Sequence, residues 1–160
     1  MKILFIGVRN GNSYKRYKAI KKLYKTTEPC FTDHFYNNKL FYKIFYHLLP
    51  NIMNFHINFF FKKKVTKFYD LIFINNEAFL TKKTILFLKK KTKKIILYCN
   101  DNPFVKRDKK KWQLLIEGIN LFDFIFFEIF SRLKYSKFHQ LKNSYAVLPQ
   151  YEKETDKKYL

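Results

Sequence analysis

Three short polar stretches hold the side chains that could do chemistry. Arg9-Asn10-Gly11-Asn12-Ser13 follows the apolar run Ile3 to Gly7, Asn75-Asn76-Glu77 follows Asp70 to Ile74, and Asn100-Asp101-Asn102 follows Lys94 to Cys99. Asp101 is the candidate general acid or base, a carboxylate between amides that can tune it. An Asx turn or a helix cap is the other role open to it. Arg9, Asn12, Ser13, Arg16, Asn75, Glu77, Asn100 and Asn102 are candidates for holding a polar ligand. Asn12 or Ser13 can cap a helix, and with Arg16 they stand where a helix N-terminus would meet a phosphate. Glu128 follows another apolar run and is placed to reach the same rim. Taken singly, each stretch also fits ordinary turn chemistry. Gly7-Val8-Arg9-Asn10-Gly11 does not match GxGxxG, and no GxxxxGK[ST] occurs, which counts against a dinucleotide fingerprint or a P-loop. His34, His47, His56 and His139 show no metal-ligand spacing and read as surface or packing residues, so no metal site is expected. Cys30 and Cys99 stand far apart without a CxxC, as two buried, reduced thiols would.

These stretches gain meaning from the elements that must position them. The apolar runs predict strands over Lys2 to Val8, Asp70 to Ile74, Lys94 to Cys99 and Asp123 to Phe127, the first two as continuous runs that fit burial on both faces. Two shorter strands are expected at Thr27 to Phe31, near an edge because of Pro29, and at Tyr145 to Leu148. Helical spacing predicts a helix over Tyr14 to Tyr24, with Tyr17, Ile20, Leu23 and Tyr24 on its apolar face. Further helices are expected over Thr81 to Lys91, around Trp112, Leu115, Ile116 and Ile119, and after Ser131 with Leu133, Phe138 and Leu141. Between the second and third strands, Lys39 to Leu49 and Ile52 to Phe68 read as an aromatic, basic helical hairpin broken at Pro50. Strands alternating with helices predict an α/β domain over residues 1–150, followed by a charged tail over 151–160. Its mainly parallel sheet of about six strands should carry helices on both faces. In such a sheet the three polar stretches share the rim at the strands' C-terminal ends, where ligands gather.

Composition bounds the partners. The formal net charge is +21, from 33 Lys+Arg against 12 Asp+Glu, and Arg occurs only at positions 9, 16, 107 and 132. Lys enrichment alongside Asn, Ile, Phe and Tyr fits AT-rich coding, so solvated Lys faces are the first reading of the charge. An anionic membrane surface comes second. Nucleic acid comes last, because phosphate readers favour the planar fork of Arg. Twenty Phe and 12 Tyr exceed what a core of this size needs, so some are expected at the surface. Lys39 to Lys67 can pack on the sheet, meet lipid with its aromatics and anionic headgroups with its lysines, or face a partner. The apolar runs are too short for a signal-peptide core or a spanning helix. A cytoplasmic protein, peripheral on the inner membrane face, is the expectation.

The order of elements resembles the N-terminal half of the GT-B glycosyltransferases, in particular the spore-maturation-type branch of group 1. The resemblance rests on Met1-Lys2-Ile3-Leu4-Phe5-Ile6-Gly7, Gly11-Asn12-Ser13 with Arg16, Asp70-Leu71-Ile72, Tyr98-Cys99-Asn100-Asp101-Asn102-Pro103-Phe104, Phe122 to Phe126, and Leu148-Pro149. It implies a Rossmann-like, acceptor-binding domain, inactive alone. Such a domain binds no cofactor itself. The resemblance also implies a nucleotide-sugar donor, held by a second domain supplied in trans. Asp101 would then act as base or acceptor-orienting group, with Asn12, Ser13 and Arg16 shaping the cleft wall.

Overall fold

A computed structural model describes residues 1–40, 42–43, 50–101, 103–104, 110–128, 141 and 143–147. Six strands form one sheet: β1 (Ile3–Gly7), β2 (Thr27–Phe31), β3 (Tyr69–Asn75), β4 (Thr92–Cys99), β5 (Phe124–Glu128) and β6 (Ser144–Val147). Their order is β2-β1-β3-β4-β5-β6, and every neighbouring pair is parallel. The described α-helices are α1 (Gly11–Leu23), α2 (Asp33–Asn37), α3 (Asn54–Lys64), α4 (Lys82–Lys89) and α5 (Gln113–Gly118). This is the Rossmann-like α/β architecture that the alternation of elements predicts. β2 lies at the edge, where Pro29 does least harm to the ladder.

Residue parity sorts the two sheet faces. Leu4, Ile6, Cys30, Ile72, Ile74, Ile95, Leu97, Cys99, Ile125 and Phe127 point to one side. There they form a single core with Ile57 and Phe61 of α3, Ile85 and Leu88 of α4, and Leu114 and Leu115 of α5. On the other side, Tyr17 of α1 packs on Phe5 and Phe31 at ring-centroid distances of 5.5 and 5.3 Å. That second face carries an aromatic row in which Phe5 stacks on Phe73 at 5.8 Å and Phe73 on Tyr98 at 6.3 Å. Further along, Phe126 meets Tyr145 at 5.6 Å.

Several local expectations are corrected. β1 is wholly buried, but Phe73, Ile96, Tyr98, Phe124 and Phe126 are only half-buried, because α1 is the described helix on that face and it rests on β1 and β2. The α1 stripe also differs. Ser13 and Tyr17 are buried while Leu23 is 77% exposed, since the first two turns make the contact with the sheet. Asn10, not Asn12 or Ser13, is the N-cap residue, because Gly11 at φ +46° turns the chain into the helix earlier. Around α5, Trp112, Leu115 and Ile119 of the expected stripe are buried, while Ile116 is exposed and Leu114 takes its place in the core. The helix expected over Ile52 to Phe68 is a 3-10 turn, Pro50–Met53, followed by α3, which stops at Lys64 as the chain turns into β3. Phe41, Ile44, Phe45, His47, Leu48, Leu49, Asn102, Ser131, Leu133, Phe138, His139, Leu148 and the tail over 151–160 lie outside the described residues.

Gly7 is where β1 and α1 touch. A Cβ there would stand 2.7 Å from Ser13 Oγ, 3.1 Å from a Phe5 ring carbon and 3.2 Å from the Asn75 carbonyl oxygen. Ser13 Oγ is buried without a hydrogen-bond partner among the described residues. Gly7→Ala is therefore expected to lower stability by about 1–3 kcal/mol through overpacking. Ser13→Ala removes an unpaired hydroxyl and should leave stability equal or raise it by up to about 1 kcal/mol. In a Gly7→Ala background it should recover part of the loss. Urea unfolding of the four proteins checks this; a Gly7→Ala midpoint equal to the wild type's would refute the close approach.

Candidate functional site

The strand order places a switch point at β1 and β3. The chain leaves β1 through α1 toward β2 on one side, and later enters β3 on the other side of β1. The connections after β1 and β3 depart on opposite sheet faces, and in open parallel sheets such a point is where a ligand crevice forms, above the strands' C-terminal ends.

Arg16 reaches into this region from the second turn of α1. Its Nη1 donates to Asn75 Oδ1 at 2.6 Å, at the end of β3, and to Asn100 Oδ1 at 3.3 Å, just past β4. Its Nη2 lies 3.8 Å from Glu128 Oε2, at the end of β5. The guanidinium carbon sits 4.0 Å from the Tyr98 ring centre, and the Tyr98 hydroxyl donates to Glu128 at 3.1 Å. One cation on α1 thus gathers four side chains from three strand ends, held by hydrogen bonds, an ion pair and a ring face. Burial raises the Tyr98 hydroxyl's pKa; the Arg16 charge opposes this and Glu128 adds to it.

The Asn75–Glu77 turn joins this cluster to Asp101. Asn76 holds a left-handed backbone at φ 52°, which asparagine tolerates better than most residues. Its side-chain oxygen accepts from the backbone N–H groups of Asn100 and Asp101 at 3.1 and 3.2 Å. Its amide nitrogen donates to Asp101 Oδ2 at 3.1 Å, and Lys111 Nζ lies 3.7 Å from the same oxygen. Asp101 remains 38% exposed, so it is anchored yet open to solvent. Asn76 is the residue that sequence reading missed as an organiser; the Asn-Asn pair at a strand end is the signal that could have found it.

Glu77 is placed differently from the rim residues: it is fully buried beneath them. Its carboxyl accepts from Phe79 N at 2.8 Å, from the Tyr36 hydroxyl at 2.9 Å, and from the Thr32 hydroxyl. Thr32 N in turn donates to the Gly7 carbonyl at 3.0 Å. Burial pushes the Glu77 carboxyl upward, against the three hydrogen bonds that favour its charge. The same burial raises the Tyr36 hydroxyl.

Arg9 and Asn12 stay apart from the Arg16 cluster. The Arg9 guanidinium lies over the Phe31 ring at 4.7 Å and its backbone N–H donates to Asp33 at 2.8 Å, while Asn12 is exposed. Ser13 faces Gly7, as described above. The buried thiols are not poised as nucleophiles: burial raises Cys30 to about 12 and pushes Cys99 further up. The His34 ring packs on Phe35 and Phe60, and burial lowers its pKa. Among the described residues no group of three or more His, Cys, Asp or Glu side chains could hold a metal ion.

The arrangement offers amide, carboxylate and guanidinium groups beside an aromatic ring, with one partly exposed carboxylate at its edge. Such a set can hydrogen-bond hydroxyls and place a base near one of them. Compared with protein-family models, with curated proteins and with solved structures, the chain finds no match in any of the three.

Glu77 makes a pH-dependent contribution with a definite sign. Its folded-state pKa lies above its unfolded value, so the stability it adds is fully present below the unfolded value, near ~4.3, and is lost as pH rises through the folded one. Glu77→Gln keeps acceptors for Tyr36 and Phe79 and does not titrate. Its stability relative to wild type should therefore rise as pH increases from ~4.3 toward neutrality. Glu77→Ala strands three donors and should cost about 3 kcal/mol or more. Thermal melts of the three proteins across this pH range are the check; a wild-type-minus-Gln difference that does not change with pH would contradict it.

Proposed function

We propose that the chain is the acceptor-side domain of a glycosyltransferase-type enzyme, binding a hydroxyl-bearing acceptor in the crevice above β1, β3 and β4 and meeting a nucleotide-sugar-binding domain in trans. The observation that carries this reading is the Arg16 cluster, which gathers Asn75, Asn100, Glu128 and Tyr98 from three strand ends at the switch point. Amide and carboxylate groups around an aromatic ring suit the hydroxyls and C–H face of a sugar. In this reading Asp101 accepts the proton of the attacking hydroxyl or orients it, and Asn76 and Lys111 keep its carboxylate in place. The donor's diphosphate would be bound by the partner domain. Asn12 and the start of α1, where no side chain caps the helix, line the cleft wall.

The test is a titration of the isotope-labelled chain, followed by backbone amide shifts. Methyl glycosides of glucose, galactose, mannose and N-acetylglucosamine serve as acceptor probes, and UDP as the donor probe. At least one glycoside should move the amides of Asn75, Asn76, Asn100 and Asp101, with UDP moving none of them. Arg16→Ala should weaken that binding roughly tenfold, the loss of about one charge-assisted hydrogen bond. Asp101→Asn should bind the glycoside but lose transfer once the donor chain is added. Shifts with UDP alone, or with no probe, would reject the acceptor assignment.

A further inference from the structure

A second surface stands apart from the crevice. Between α3 and α4 lies a groove of about 520 Å³, lined by Phe55, Asn58, Phe59 and Lys62 from α3 and by Lys83, Thr84, Leu86, Phe87 and Lys90 from α4 and its C-cap. Both helices already bury an apolar stripe: Ile57 and Phe61 in α3, Ile85 and Leu88 in α4. An ordinary covering helix would be polar on its other side. Here Phe55 is 83% exposed, Phe59 57% and Leu86 43%, and the Phe55 and Phe59 rings stack at 6.5 Å. A contiguous apolar patch of this kind marks a docking surface.

The groove is held in shape from below. Asn58 Oδ1 accepts from Thr81 Oγ1 at 2.7 Å and from the Thr84 hydroxyl, so α3 is tied to the N-terminus of α4. Thr81 also caps α4 by accepting from Thr84 N at 3.0 Å.

The charge around the rings names the occupant. Lys62, Lys83 and Lys90 border the groove, no acidic residue among the described ones lines it, and α3 ends in Lys62-Lys63-Lys64. Apolar rings inside a ring of lysines match the two layers of a bilayer surface. The rings enter the acyl boundary while the lysines, on flexible stems, reach headgroup phosphates. We propose that the α3–α4 groove is a docking site for an anionic lipid membrane, with Phe55, Phe59 and Leu86 as the inserting residues. The site extends the sequence expectation for Lys39 to Lys67 onto α4, which that segment does not include. It does not depend on the acceptor reading of the crevice.

The experiment uses vesicles of phosphatidylcholine with and without phosphatidylglycerol, and the variant Phe55→Trp as a reporter. Trp112, the natural tryptophan, is buried and serves as a silent reference. On anionic vesicles the new tryptophan should shift to the blue and be quenched by brominated acyl chains. Phe59→Ser/Leu86→Ser, with charge unchanged, should lower partitioning roughly tenfold or more. Lys62→Glu/Lys83→Glu should lower it more than Lys22→Glu/Lys25→Glu, the same charge change on and beside α1. All these side chains are exposed, so circular dichroism should confirm an intact fold. Absence of bromolipid quenching would overturn the proposal. So would equal losses from the two lysine pairs, which would reduce the effect to net charge, or vesicle binding unaffected by Phe59→Ser/Leu86→Ser.

Discussion

The crevice depends on one carboxyl group shut away from water. Glu77 sits at the exit of β3, and its partners come from the turn beyond it, from α2 and from the N-cap of α2. Thr32 carries the connection on to the last residue of β1. At a switch point nothing in the sheet ladder joins the connections that leave β1 and β3, since they part on opposite faces. The buried acid ties the turn after β3 to α2 and its N-cap, and Thr32 extends that tie to the end of β1. Burying it is expensive unless every lone pair is used or the proton is kept. Three hydrogen bonds offset part of that cost, and burial still raises the carboxyl's pKa, which makes the joint sensitive to pH.

Above this joint the rim is built by one long cation. Arg16 comes from a helix, while Asn75, Asn100 and Glu128 come from the ends of three strands. The strands are parallel and in register, so their ends stand side by side. A guanidinium with several donors in a fixed plane can serve them together, which a lysine could not. The Tyr98 ring under Arg16 belongs to the aromatic row of the α1 face, so the same side chains that cover the sheet also floor the site. Gly7 lets this happen by allowing α1 to approach β1 closely enough for Arg16 to cross to β3.

The two surfaces differ in chemistry and in support. The crevice is polar and braced from beneath by Glu77 and Asn76. The α3–α4 groove is apolar with a basic border, and its brace is the Asn58–Thr81–Thr84 contact. Among the described residues none is shared between the groove lining and the Arg16 cluster. Among the described residues no helix is long and apolar enough to cross a membrane.

By itself the sequence determined the architecture. Runs such as Ile3 to Gly7 and Lys94 to Cys99 are local signals, because a strand buried in a parallel sheet must be apolar throughout and its exit must turn. Alternation with helical segments then led to a parallel sheet with Pro29 in its edge strand, and the polar stretches fell at the strand ends as expected. Only the tertiary structure decided which of those polar residues meet. Arg9 and Arg16 flank the same short loop, yet one lies over Phe31 and the other spans three strand ends. Asn75 and Glu77 are two residues apart, yet one faces the rim cluster and the other is sealed below it. Apart from Phe79, their partners lie more than twenty residues away, and a contact across that distance leaves no trace in local composition or periodicity. The exposure of Phe55 and Phe59 was likewise beyond the pattern, since a helix apolar on both sides does not say which side the core will take.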